Sequence, residues 1–196
     1  MMHWRRDVRR FRRDPVDWAT VEGCLRIACQ GPSVGNSQPW RFIRVEDPAR
    51  RQALRQEFES ANAKALAGYE GERAHLYASL KLSGLDDAPL QVAACADGGA
   101  PAGLGLGSDT MPEVKVYSVV AAIQTLWLLL RSRGIGLGWV SIFDPCAVKR
   151  VLDVPPEWTF LGHLCIGYPE EETDIPELVS AGWQERLPFE EMILER

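Results

Sequence analysis

The sequence predicts an α+β fold in which helices pack on a mixed sheet. Three observations carry that expectation. Val116–Arg133 is apolar around its whole circumference, as a central buried helix would be. LQVAACA (Leu90–Ala96), GLGWVSIF (Gly136–Phe143) and TFLGHLCIGY (Thr159–Tyr168) are short, apolar and bounded by turn residues, which reads as buried strand. The remaining periodic segments are amphipathic and of helical length.

The elements follow in order. Val16–Cys29 places Val21, Cys24, Leu25 and Ala28 on one stripe of a helix. Gly31–Trp40, GPSVGNSQPW, is a loop, and RFIRV (Arg41–Val45) alternates as a strand does. Pro48–Ala67 and Gly71–Gly84 read as helices, and Pro145–Leu152 as a short helix with proline in its first turn. Ala96–Thr110 is glycine-rich and reads as a mobile loop. Glu170–Arg196 holds nine acidic residues against two arginines and reads as an extended C-terminal arm with a short helix at its end. At 196 residues the chain suits a single domain over 1–196, the arm being about 170–196.

Composition narrows the function. The net charge of -5 argues against general nucleic-acid binding. The arginine-rich start is not followed by an apolar signal region, and Val119–Leu130 is too short to span a bilayer, so a cytoplasmic protein without membrane attachment is expected. Five scattered cysteines without a CxxC read as buried, reduced thiols. His3, His75 and His163 show no metal-ligand spacing, so no metal is expected, and His163 reads as a hydrogen-bonded core residue.

Three stretches are candidates for chemistry. HWRRDVRRFRR gathers six arginines (5, 6, 9, 10, 12 and 13) around one carboxylate, Asp7. The planar fork of arginine suits phosphate, although a charge run at a terminus is also commonly a solvated end. PSVGNSQPW (Pro32–Trp40) offers hydroxyls, amides and a permissive Gly35 to an anionic or heteroaromatic ligand, or is an ordinary connection. GIGLGWVS (Gly134–Ser141) enters a strand and opens no helix, so it is not a dinucleotide-binding turn. Its glycines admit a flat group or allow tight helix–strand packing.

Together RRDVR, PSVG..QPW, LKL.G, APL, GWVSIF and LCIGYP resemble the nitroreductase-fold flavoproteins over nearly the whole chain. Within them the likeness is to the branch that makes 5,6-dimethylbenzimidazole. The resemblance implies a nitroreductase-like homodimer with FMN at the subunit interface. Reduced FMN is then the substrate and molecular oxygen the co-substrate. The flavin is fragmented to 5,6-dimethylbenzimidazole and erythrose 4-phosphate, which serves cobalamin biosynthesis. It further implies that Arg5, Arg6 and Arg9 bind the phosphate and the polar edge of the ring, with Arg186 completing that site. Arg10, Arg12 and Arg13 are left to solvent. Asp7 is implied as an acid/base group, its charged form favoured by the arginines. Ser141 is implied at the reactive face of the ring, and Gly138 and Trp139 as backbone contacts to it. Pro32, Ser33, Val34 and Gln38 are implied around the ring and ribityl chain, with Ser118 near the partner subunit's ligand. Ala96–Thr110 and Arg73–Leu85 are candidate covers for the site. Two departures stand out: the chain starts just ahead of RRDVR, where relatives carry a helix, and Ser108 stands where an arginine often follows the glycine pair. A separate NAD(P)H:flavin reductase is the expected source of reduced FMN. Other readings on the same fold are an NAD(P)H-dependent nitroreductase that keeps FMN intact, and a flavin-binding module without catalysis.

Overall fold

The computed structural model describes residues 2–196. Its helices are α1 (Trp18–Ala28), α2 (Pro48–Leu66), α3 (Gly71–Ser79), α4 (Val114–Arg131), α5 (Pro145–Val151) and the short α6 (Glu177–Ser180). Its strands are β1 (Trp40–Arg44), β2 (Leu90–Asp97), β3 (Gly136–Val140) and β4 (Trp158–Gly167), in the order β1-β2-β4-β3. Aspartate side chains start three of the helices. Asp17 accepts from the amides of Ala19 and Thr20, Asp47 from Ala49, and Asp144 from Cys146. In the last two cases proline follows directly, its missing N–H costing nothing at a helix start.

Strand alternation splits the core in two. Val92, Ala94, Leu164 and Ile166 face α1 and α4, where they meet Val21, Val119, Ile123 and Leu126. Ala93, Cys95 and Cys165 face the other way, toward Leu54 of α2 and Val148 of α5. The sheet is therefore a filling between two helical layers. All four strands pair antiparallel, which departs from the mixed sheet expected. The parallel element is a bridge between Asp7 and Leu137.

That bridge begins the feature that organises the molecule. Residues 7–12 run along the open edge of β3 and on past the end of β4. The Val8 amide donates to Leu137 O at 3.1 Å, and the Arg12 amide to Tyr168 O at 2.8 Å. Phe11 is fully buried beneath the sheet's edge. The close approach needs glycine at the contact points. A Cβ on Gly138 would collide with the Val8 carbonyl, and one on Gly136 would stand 2.7 Å from the Val8 side chain. Side chains at Gly84 and Gly167 would strike the Phe11 ring. Gly136 and Gly138 of GIGLGWVS thus seat the chain's own N-terminal segment.

Several local expectations change for physical reasons. The third helix ends at Ser79 and not near Gly84, because the Lys81 carbonyl accepts from Arg9 at 3.1 Å and Gly84 lies flush against Phe11. The third strand ends at Val140, since the Phe143 amide turns back to Ser141 O. The glycine-rich stretch is a series of hydrogen-bonded turns laid against Pro32–Gln38, with Gly103 and Leu106 crowding Gly35. Helix α4 is buried on one side only; Tyr117, Val120 and Ala121 are exposed. By length and composition it could cross a membrane, but here it is the core helix. Of the cysteines, Cys24, Cys95 and Cys165 are buried, whereas Cys29 is half-buried and Cys146 exposed. The arm contains α6 in addition to its terminal turn, Phe189–Met192.

His163 lies in the core, its Nε2 3.0 Å from Gln91 Oε1, as expected. Burial, reinforced by the charge of Arg51, pushes its imidazole down to about 3. The unfolded chain binds this proton near the ordinary value of 6.5. The stabilisation is therefore complete above that pH and is lost as pH falls from there toward 3. Denaturant titrations should show a slope of about 1.4 kcal/mol per pH unit from this group below pH 6. His163→Leu should remove that slope, whatever its effect at neutral pH. Gly138→Ala should cost about 1–3 kcal/mol in urea denaturation by forcing the N-terminal segment off β3. Gly23→Ala in α1, where a Cβ meets nothing, should stabilise by about 0.5–1 kcal/mol.

Candidate active site

The anchored N-terminal segment fixes Asp7 first. Asp7 Oδ1 accepts from the Trp139 amide at 2.9 Å, and Oδ2 from Arg9 Nε at 3.0 Å. The Trp139 amide, expected as a ring contact, is thus engaged by Asp7. Its indole Nε1 donates to Leu161 O, in the irregular part of the β2–β4 pairing. Each Asp7 oxygen keeps a free lone pair, and the carboxylate is one-third exposed. Ser141 is exposed two residues beyond Trp139, about 7 Å along the strand direction.

The arginines divide into two groups. Arg10, Arg12 and Arg13 are exposed and pair with Glu177, Asp14 and Asp87. Arg5, Arg6 and Arg9 turn inward and line a cavity of about 180 Å³ together with Asp7, Glu177 and Arg186. Arg5 lies over the Trp127 ring, 4.6 Å from its centre. Arg6 donates to the carbonyls of Arg5 and Asp174, and its own carbonyl accepts from Trp127 Nε1 at 3.1 Å. Among the described residues Arg5, Arg6 and Arg186 have no carboxylate partner, and Nε of both Arg5 and Arg6 is buried without a hydrogen bond. Burial, then the charges of Arg5 and Arg186, lower the Arg6 guanidinium below its ordinary value. Asp7 and Glu177 on the wall are already engaged by Arg9 and Arg10, so Arg5, Arg6 and Arg186 remain without a carboxylate, and with the unfilled buried donors they fit a phosphate dianion.

A second cavity, of about 330 Å³, lies across the partition formed by Arg6, Asp7 and Arg9. Trp4, Trp127 and Glu170–Glu172 are among its walls. Arg131 there holds Glu172 through both carboxylate oxygens at 3.0 Å, which draws that carboxyl below its usual range. Trp127 and Arg131 escaped sequence reasoning because an apolar helix gives no sign of which residues at its end meet a segment far away in sequence.

The other expected ligands assemble elsewhere. Ser118, buried in the second turn of α4, accepts from the Val34 amide at 3.1 Å and donates to Val114 O. Ser33 Oγ accepts from the Gln38 amide at 3.0 Å; Gln38 and Pro32 are exposed. Neither cavity is lined by this group. Ser118 and Trp127 are separated by about 13 Å along α4. The residues expected as ligands therefore fall into two groups in one chain: Asp7 with the arginines, Trp139 and Ser141, and the 32–38 loop with Ser118.

Helices on both faces of an antiparallel sheet, with an arginine-lined cavity beside the segment that meets β3, make an α+β scaffold, and the chain belongs to the nitroreductase family, whose model matches residues 2–168. Its relatives include the 5,6-dimethylbenzimidazole synthase of Rhodospirillum rubrum, 55% identical over 96% of this chain and 89% of that protein. A 5,6-dimethylbenzimidazole synthase of Rhodobacter capsulatus is 49% identical over 97% of this chain and 92% of that one. Among solved structures, oxidized iodotyrosine deiodinase bound to FMN and 3-iodo-L-tyrosine superposes with a TM-score of 0.73, at 24% identity over 88% of this chain and 89% of that one.

Proposed function

We propose that this chain is a 5,6-dimethylbenzimidazole synthase that takes reduced FMN as substrate and molecular oxygen as co-substrate, releasing erythrose 4-phosphate. The observation that carries the reading is the convergence of Arg5, Arg6, Arg9 and Arg186 on one cavity whose wall includes a carboxylate, in a chain more than half identical to an enzyme of that name. Bound FMN supplies the ring and ribityl chain that are cleaved. The arginines hold the phosphate and so set how far the ribityl chain reaches along β3. Asp7, fixed by the Trp139 amide and Arg9, presents its free lone pairs as a proton acceptor, and later returns the proton. Ser141 offers a hydroxyl on the same strand line, within reach of a ring nitrogen or oxygen.

The separation of the two groups supports a homodimer. A second copy laid on the exposed face of α4 would bring its Pro32, Ser33, Val34 and Gln38, with Ser118 behind them, to the arginine end of the first. Tyr117 and Val120 on that face, with Leu187, Phe189 and Ile193 of the arm, are exposed apolar residues in one chain. Closure by the partner would also exclude water from the reacting ring. Reduced FMN would come from a separate NAD(P)H:flavin reductase, in the cytoplasm.

The direct test supplies chemically reduced FMN, admits oxygen and assays for 5,6-dimethylbenzimidazole by mass. Flavin returned intact would exclude the synthase reading, and NADPH oxidation coupled to a nitroaromatic would point to a reductase. Asp7→Asn keeps an acceptor for the Trp139 amide but removes the base. It should bind FMN within about threefold of wild type while product formation falls about 10²–10⁴-fold. Loss of flavin binding instead would make Asp7 only an organiser of the arginines.

A further inference from the structure

The C-terminal arm reaches the arginine cavity through a built anchor. Helix α6 ends in paired backbone hydrogen bonds. The Gly182 amide donates to Val179 O and the Trp183 amide to Leu178 O at 2.9 Å, with Gly182 at φ 72°. This reversal requires the left-handed conformation that glycine adopts without penalty, and it throws the next side chain back against the body of the protein. That side chain is Trp183. Its ring meets Tyr69 edge-on, with centres 5.5 Å apart, and Tyr77 at 5.9 Å, while the Arg73 guanidinium covers it at 4.4 Å. Tyr69 and Tyr77 stack on each other at 4.9 Å, and Tyr77 is tied to Asn62 by a 2.8 Å hydrogen bond. The cage thus stands on α2, α3 and the turn between them. Upstream, Glu177 pairs with Arg10 at 2.5 Å. Three residues beyond Trp183 is Arg186, the one cavity arginine that does not come from the N-terminal segment.

Arg186 is exposed and has no ion pair among the described residues, so nothing at its own position holds it. We propose that Trp183 is a positioning residue for Arg186, and that its cage sets the protein's preference for phosphorylated over unphosphorylated flavin. This rests on the arginine cavity being the phosphate site. Two aromatic contacts and a cation over the indole act together at Trp183, and their sum offsets the ordering cost of the few residues around it. Releasing the anchor returns Arg186 to the conformational freedom of an arm end and removes one charge-assisted bond to phosphate.

Binding of oxidised FMN and of riboflavin, measured by flavin fluorescence on the full-length protein, tests this. Trp183→Ala should weaken FMN about tenfold, the worth of one charged hydrogen bond, and riboflavin less than twofold. Trp183→Phe should stay within about threefold of wild type for both. Arg186→Ala should show the same selective loss, and the double variant should lose no more than Arg186→Ala alone. If Trp183→Ala does not fold, Tyr69→Ala removes one wall of the cage and should give a smaller loss, again confined to FMN. Equal losses for both flavins, unchanged FMN binding, or additive losses in the double variant would overturn the proposal. If Arg186→Ala leaves the FMN-to-riboflavin ratio intact while Arg6→Ala abolishes it, the cavity still binds phosphate and only the role given to the arm is wrong. If neither variant changes that ratio, the phosphate site itself is misassigned and the proposal fails with it.

Discussion

Most of the site depends on the backbone-to-backbone approach of residues 7–12 to the open edge of β3. An edge strand leaves a row of unpaired amides and carbonyls, and some other segment must meet them. Here the N-terminal segment does so, through the Val8 amide and the Asp7 carboxylate. The approach is possible only because Gly136 and Gly138 carry no side chains toward Val8. Phe11, seated between Gly84 and Gly167, pins the segment's far end in the core. Six arginines within residues 5–13 would otherwise be a frayed basic terminus. Pinned at Asp7, Val8 and Phe11, they acquire directions: three turn inward and three meet solvent and carboxylates.

Charge then explains the arm. The acidic stretch after β4 folds back on the basic segment: the Glu170 amide donates to Arg10 O, Glu172 pairs with Arg131, and Glu177 with Arg10. The arm thus pairs Arg10, while Asp14 and Asp87 pair Arg12 and Arg13, and Arg5, Arg6 and Arg186 are left without a carboxylate partner around their cavity. Like charges held together in a partly desolvated space are unfavourable unless an anion joins them. An acidic protein thus concentrates its positive charge in one place, and the acidic arm frames that place without filling it.

Helix α4 is the ruler of the molecule. Its buried side assembles the core on one face of the sheet, and toward its two ends Ser118 bonds the 32–38 loop and Trp127 bonds the N-terminal segment. The helix is apolar all round by composition, yet only one side is covered within the chain. In the proposed dimer the uncovered side and the division of the ligands have one cause: the ring would be held between the arginine end of one helix and the loop end of another.

The sequence by itself determined most of the elements, the α+β class and a cluster of six arginines of a type suited to phosphate. These follow from apolar periodicity, from Asp-Pro helix starts at 47–48 and 144–145, and from arginine's geometry, all of which are local. Its motifs in combination also indicated the family. Tertiary structure alone decided what Gly136 and Gly138 face, that the Trp139 amide is taken by Asp7, that Trp127 and Arg131 line a cavity with the N-terminal segment, and that Trp183 packs against Tyr69 and Tyr77. It also decided that the strands pair antiparallel and that the expected ligands fall into two groups. Each of these depends on which distant segments meet. A glycine shows that something comes close without showing what, and an aromatic residue in an apolar or acidic stretch does not reveal the cation it will lie beneath.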